Sequence, residues 1–321
     1  MLYLRKIAYL ILAGGLAACA VQNPYAATNR VYRQQVKAYA RALRAVPPPT
    51  PGADSLTLGP YWVGTTNFNL RKPNYVIIHH TAQDSTAQTL KTFTLPRSQV
   101  SAHYVIGRDG RVFHLLNDYL RAWHGGVARW GTNTDINSCS IGIELDNNGT
   151  EPFTGPQIAS LLRVLAGLKK TYNIPPANFI GHADIAPGRK TDPSAFFPWQ
   201  QLADHGFGLW YDAGNLPSPT APDSSAVGPA GGLGAAPGLS AGVPVPGARP
   251  DTTIVDAHLT RLNNLPRPFN PREALRIIGY DTRDLPAAIR AFKLHFIQRE
   301  VSAPLTDADE RILYNLYQKY L

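Results

Sequence analysis

Apolar positions along this 321-residue chain change their spacing several times, and each change marks an element. Tyr75-Val76-Ile77-Ile78 is a continuous apolar run, the pattern of a strand covered on both faces, and it delivers His79-His80-Thr81 at its end. A helix is predicted over Thr86 to Thr94. Strands are predicted over residues 102–106 and 112–115, joined by Arg108-Asp109-Gly110, whose Asp-Gly pair signals a hairpin. Residues 138–145 read as another buried strand. From Gly155 to Tyr172, Ile158, Leu161, Leu162, Leu165 and Leu168 fall on one helical stripe, and Phe179-Ile180-Gly181 then reads as a short strand ending at His182. Strands interspersed with helices predict an α/β domain over residues 60–212.

The segments on either side have a different texture. Residues 31–46 space their apolar side chains close to a helical period and stop at Pro47-Pro48-Pro49, which predicts a short helix in a stalk covering residues 19–59. Residues 213–250 are Pro, Gly, Ala and Ser with almost no large apolar side chain. Such a stretch is expected to be a disordered linker because it buries too little to offset chain entropy. Beyond it, residues 251–321 carry three amphipathic helix patterns, at 271–278, 285–298 and 307–320, the last opened by a Thr306/Asp309 capping signature. A small helical domain, separate from the first, is expected there.

The first residues read as an export signal: Arg5 and Lys6, an apolar run from Ile7 to Leu12, then Leu16-Ala17-Ala18 before Cys19. The run falls short of the roughly 20 residues of a permanent membrane helix. Leu16-Ala17-Ala18-Cys19 resembles a bacterial lipobox, which implies removal of residues 1–18 and lipid on Cys19. Ala20, in place of Asp, implies outer-membrane delivery with the protein facing the periplasm. With Cys19 so used, Cys139 has no disulfide partner and reads as an inert core thiol on a strand. The net charge of +9 would suit an anionic wall or membrane, whereas nucleic acid is a poor fit: no helix-turn-helix or aromatic-basic repeat accompanies it. From Thr252 onward ten Lys and Arg face eight Asp and Glu, leaving +2.

His79, His182 and Asp192 offer two imidazoles and a carboxylate, the donor set of a catalytic zinc that keeps one position open. Their spacing alone is a weak signal, since a lone histidine is more often a surface or core residue. Glu144 stands among Ile141, Ile143 and Leu145, where an acid has few structural reasons to be.

Three segments carry a resemblance. Val76-Ile77-Ile78-His79-His80-Thr81-Ala82, Ser140-Ile141-Gly142-Ile143-Glu144 and Gly181-His182 through Thr191-Asp192-Pro193 resemble, in order, the zinc N-acetylmuramoyl-L-alanine amidases that share a fold with animal peptidoglycan recognition proteins. The lipobox, the amidase-like region and the helical tail together resemble the AmiD type. The resemblance implies a central mixed β-sheet flanked by helices and a C-terminal module that binds peptidoglycan. It implies one Zn²⁺ on His79, His182 and Asp192, with aspartate where several relatives have cysteine and His80 as a non-ligand neighbour. It further implies Glu144 as general base and Lys190 as oxyanion partner. His103, Tyr104, Trp123 and His124 are candidate substrate contacts. The implied reaction is hydrolysis of the amide between N-acetylmuramic acid and L-alanine in peptidoglycan or muropeptides, by a monomer. Two other readings stay open: a wall-sensing protein without catalysis, and a structural anchor between membrane and wall.

Overall fold

The computed structural model describes residues 23–44, 67, 70–215 and 269–321. The signal segment, Cys19 and most of the expected linker lie outside the described residues. The chain divides into two compact units, residues 1–69 and 70–321. In the first, helix α1 (Ala26–Arg44) begins before the predicted start at 31 and buries none of its side chains. No described helix is long and apolar enough to cross a membrane.

In the second unit the order is β1 (Tyr75–His80), α2 (Thr86–Thr94), β2 (Tyr104–Ile106), β3 (Val112–His114), α3 (Ile136–Cys139), β4 (Ser140–Leu145), α4 (Gly155–Tyr172), β5 (Phe179–Gly181), α5 (His182–Ile185), α6 (Trp199–Asp204), α7 (Pro271–Ile278), α8 (Leu285–Phe296) and α9 (Asp307–Tyr320). The strands form one mixed sheet in the order β3-β2-β4-β1-β5, with β1 parallel to β4 and β5, β2 parallel to β4, and β2-β3 the antiparallel hairpin.

Helix starts are written in the sequence. The Ser85 hydroxyl accepts from Gln88 N–H to open α2, and Thr154 accepts from Gln157 N–H to open α4, each satisfying a donor the helix cannot. At its far end α4 stops at Asn173, in the left-handed conformation.

Side-chain alternation along β1 and β4 divides the sheet into two faces. Val76, Ile78, Ile141, Ile143 and Leu145 pack with Leu161, Leu165 and Phe197 on the α4 side. Each fully buried branched side chain contributes roughly 1.5–3 kcal/mol. On the opposite face, register pairs Ile77 with Gly142 and Ile180, and His79 with Glu144. That face is where the C-terminal helices join: Ile77, Ile180 and Ile185 share one apolar cluster with Leu275, Phe292 and Leu313. The helices expected to form a separate module thus share a core with the sheet. Their amphipathic stripes are indeed covered, but partly by the other half of the unit.

A second difference concerns Cys139. Residues 136–139 form a helical turn, and the strand starts at Ser140, whose hydroxyl donates to Ile136 O at 2.6 Å. Cys139 is therefore half-buried at the end of that turn, with Asn133 Nδ2 donating to its sulfur, rather than inside a strand.

Candidate metal and catalytic site

His79 is placed by β1, one residue before the strand ends, and its side chain shares a face with Glu144 of β4. His80 points to the other face, where its Nδ1 accepts from Ser194 N–H, as expected for a non-ligand. His182 opens α5 directly after β5, and Asp192 is tied to it because Ala183 N–H donates to Asp192 O at 2.8 Å. Three distant segments therefore converge. His79 Nδ1 lies 2.9 Å from His182 Nδ1 and 3.2 Å from Asp192 Oδ2, and His182 Nδ1 lies 3.0 Å from the same oxygen.

The far sides of both rings show what these atoms carry. Ser140 spends its proton on Ile136 O, so its oxygen accepts from His124 Nε2–H at 3.2 Å. His124 Nδ1 is then an acceptor, and it receives His79 Nε2–H at 3.0 Å, which leaves a lone pair on His79 Nδ1. On the other ring, His182 Nε2–H donates to Gly125 O at 3.2 Å. Arg189 Nη2 is also near His182 Nε2, but both its hydrogens are engaged by Gly125 O and Val127 O, at 2.6 and 2.8 Å. In that tautomer His182 Nδ1 turns its lone pair toward His79 and Asp192. Burial pushes His79 down to about 4 and His124 well below the ordinary histidine range, so both rings are neutral near pH 7.

One nitrogen of each imidazole and a carboxylate oxygen lie within 4.8 Å of one another, and in the tautomers set by the outer hydrogen bonds their lone pairs converge on a point that a cation would fill. The donor chemistry fits zinc, and the outer hydrogen bonds that fix each tautomer are those metal-binding histidines use.

Glu144 Oε1 stands 4.0 Å from His79 Nδ1, and the residue is 9% exposed. Burial and then the Asp192 charge push its carboxyl up to about 8, while Lys190 opposes the shift. The half-buried Lys190 also lowers His79 and His80, which places its positive charge beside the cluster. His79, His182, Asp192 and Glu144 thus lie together.

The candidate substrate contacts fare differently. His103 is fully buried: Nδ1 accepts from Gly142 N–H at 3.1 Å and Nε2–H donates to Leu120 O at 3.0 Å, so the ring has nothing left for a substrate. Tyr104 pairs with Ile143 and so faces the α4 side, away from Glu144; its hydroxyl donates to Asp118 Oδ2. His124 backs His79, and both its nitrogens are used. Only Trp123, half exposed beside it, keeps a surface to offer.

Sequence reasoning missed Ser140, Arg189 and the Gly125 carbonyl, which orient the rings, and Asp184, two residues after His182. A Cβ at Gly142 would lie 2.4 Å from His124 Cγ, so the ring rests on that bare backbone.

Residues 69–195 match the N-acetylmuramoyl-L-alanine amidase family, Amidase_2. The chain is 39% identical over 154 residues to the N-acetylmuramoyl-L-alanine amidase AmiD of Escherichia coli, covering 43% of this chain and 55% of that protein. It is 39% identical over 104 residues to the 1,6-anhydro-N-acetylmuramyl-L-alanine amidase AmpD of Haemophilus influenzae, covering 32% and 56%. The chain thus spans about half the length of the curated relatives it matches. Among solved structures, AMPDH3 of Pseudomonas aeruginosa superposes with a TM-score of 0.60 at 27% identity, over 83% of this chain and 99% of that one. E. coli AmiD in complex with anhydro-N-acetylmuramic acid-L-Ala-D-gamma-Glu-L-Lys gives 0.58 at 27%, over 81% and 93%. The family match thus falls on residues 69–195, the segment that carries His79, Glu144, His182 and Asp192.

Proposed function

We propose that this chain is a zinc-dependent hydrolase of the amide between the lactyl group of N-acetylmuramic acid and L-alanine, acting on peptidoglycan or muropeptides, anhydro forms included, in wall turnover or recycling. The observation that carries this reading is the convergence of three potential ligand atoms, with the Glu144 carboxyl 4.0 Å from His79 Nδ1. His79, His182 and Asp192 would hold the metal. When bound, zinc supplies Lewis acidity toward a carbonyl oxygen and acidifies water to a pKa of about 7. Glu144 takes the proton from the attacking water and returns it to the departing L-alanine nitrogen. Its burial suits this work, because a carboxyl lifted toward neutrality both accepts and releases a proton readily. Lys190 adds positive charge where the tetrahedral oxyanion develops. Trp123 offers an apolar surface to the stem peptide.

The lipobox supports a mature chain anchored through Cys19 in the outer membrane and facing the periplasm. A sensing protein would have no need of the full donor set, so the convergence favours the enzyme. Mass analysis of products from a defined anhydro-muropeptide, with and without a chelator, tests the reading. Release of free L-alanine-terminated peptide that stops on chelation is expected, and products cut at any other bond would overturn it.

A further inference from the structure

We propose that the C-terminal helices are part of the metal site, with Tyr280 and His295 positioning His182 through Asp184; this rests on the reading of His79, His182 and Asp192 as a zinc site. Asp184 is 1% exposed and lies at the third position of α5, two residues after the ligand. Three donors fill its carboxylate. Gly181 N–H donates to Oδ2 at 2.7 Å, a local contact that any short helix start could make. The other two come from the far end of the chain: Tyr280 O–H donates to Oδ1 at 2.8 Å, and His295 Nδ1–H donates to Oδ2 at 2.7 Å.

Both remote donors are packed against indole rings. His295 stacks on Trp199 with ring centroids 3.8 Å apart, and Tyr280 meets Trp130 edge-on at 5.0 Å. The same module touches the second-ligand segment at two more points. Gln298 Nε2 donates to Phe197 O at 2.6 Å, and a Cβ on Gly188 would lie 3.1 Å from Ala287 Cβ on α8.

The four-residue α5 is too short to hold its own shape, since an isolated turn of helix is unfavourable. Its place must be set from outside. A buried carboxylate deprived of a partner is costly, so Asp184 stays where the remote donors are, and His182 moves only if Asp184 moves. The tail that reads in sequence as a detachable module therefore acts as one wall of the second-ligand segment.

The test measures zinc affinity of the full chain by competition with a chromophoric chelator, zinc alone being the ligand. Tyr280→Phe, which loses one hydroxyl and keeps the ring, is expected to weaken zinc three- to tenfold. His295→Leu is expected to weaken it ten- to a hundredfold, with His295→Asn, which keeps a donor, recovering part of the loss. Leu313→Ala, in the same apolar cluster, supplies the comparison: its melting temperature falls while zinc affinity stays within twofold. Unchanged affinity in Tyr280→Phe and His295→Leu would overturn the inference, as would an equal loss in Leu313→Ala. A wild-type chain that takes up no zinc would instead overturn the zinc reading beneath it.

Discussion

His124 stands edge-on to His79, with ring centroids 5.1 Å apart and its Nδ1 receiving the His79 Nε2 proton. The relay runs from the Ile136 carbonyl through Ser140 and His124 to His79, so a backbone atom sets the tautomer of a proposed ligand. Removing an outer partner of a metal-bound histidine commonly costs 10- to 100-fold in affinity. His124→Ala is expected to weaken zinc by about that factor, read by chelator competition. Gly142→Ala should do the same without touching a hydrogen-bonding group, because the added methyl displaces the His124 ring.

Glu144 carries opposite consequences for activity and stability. Glu144→Gln keeps the shape and the three ligands, so zinc should bind while turnover falls by at least about a thousandfold, within the range such acid-base groups supply. In the metal-free protein the same change should stabilise. Folded Glu144 keeps its proton up to about pH 8, whereas the unfolded residue loses it near 4.5, so wild-type stability declines as pH rises through that window. Glutamine has no such loss. The melting temperature of metal-free Glu144→Gln is expected to exceed wild type at pH 7.5 and to approach it near pH 4.5.

Acid acts on the histidines with the other sign. Folded His79 and His103 take up protons only near pH 4, because they are buried, while the unfolded rings do so near 6.5. Their contribution is fully present above pH 6.5 and is lost as pH falls toward 4, at up to about 1.4 kcal/mol per pH unit for each ring. Denaturant midpoints of metal-free Glu144→Gln, which removes the competing carboxyl, should fall across that interval. A flat profile would contradict the buried neutral state of the rings.

Arg71 ties the turn at residues 118–120 to the helical turn α3 that leads into β4. Its guanidinium donates to the backbone carbonyls of Asp118, Tyr119, Leu120 and Ser138, a fan of acceptors that a lysine cannot reproduce. Arg71→Lys is expected to cost about 2–4 kcal/mol in denaturant unfolding, with catalysis affected only as stability falls.

Much of this arrangement is legible in the chain, for identifiable reasons. The bounds of α2 and α4 follow the sequence because Ser85 and Thr154 cap them, and the α9 start is written by Thr306 and Asp309. His79 and Glu144 are each legible because a polar residue near the end of a buried strand interrupts an apolar run. Tyr104 was misplaced because its face depends on the pairing with Ile143, and register is a tertiary fact. His103 and His124 misled for a similar reason: their nitrogens are satisfied by Gly142, Leu120, Ser140 and His79, far away in sequence. The joining of the C-terminal helices to the sheet was illegible because it turns on bonds such as His295 to Asp184, 111 positions apart. A Pro- and Gly-rich stretch between two amphipathic regions says nothing about whether those regions then share a core.

Metal stoichiometry across ligand variants tests the account most directly. Equilibrium dialysis of the full chain against buffered zinc should give one ion per chain for wild type and for Glu144→Gln. His79→Ala, His182→Ala and Asp192→Asn should each lose it, with their folds retained. Full zinc loading in any of the three ligand variants, or none in the wild type, would contradict it.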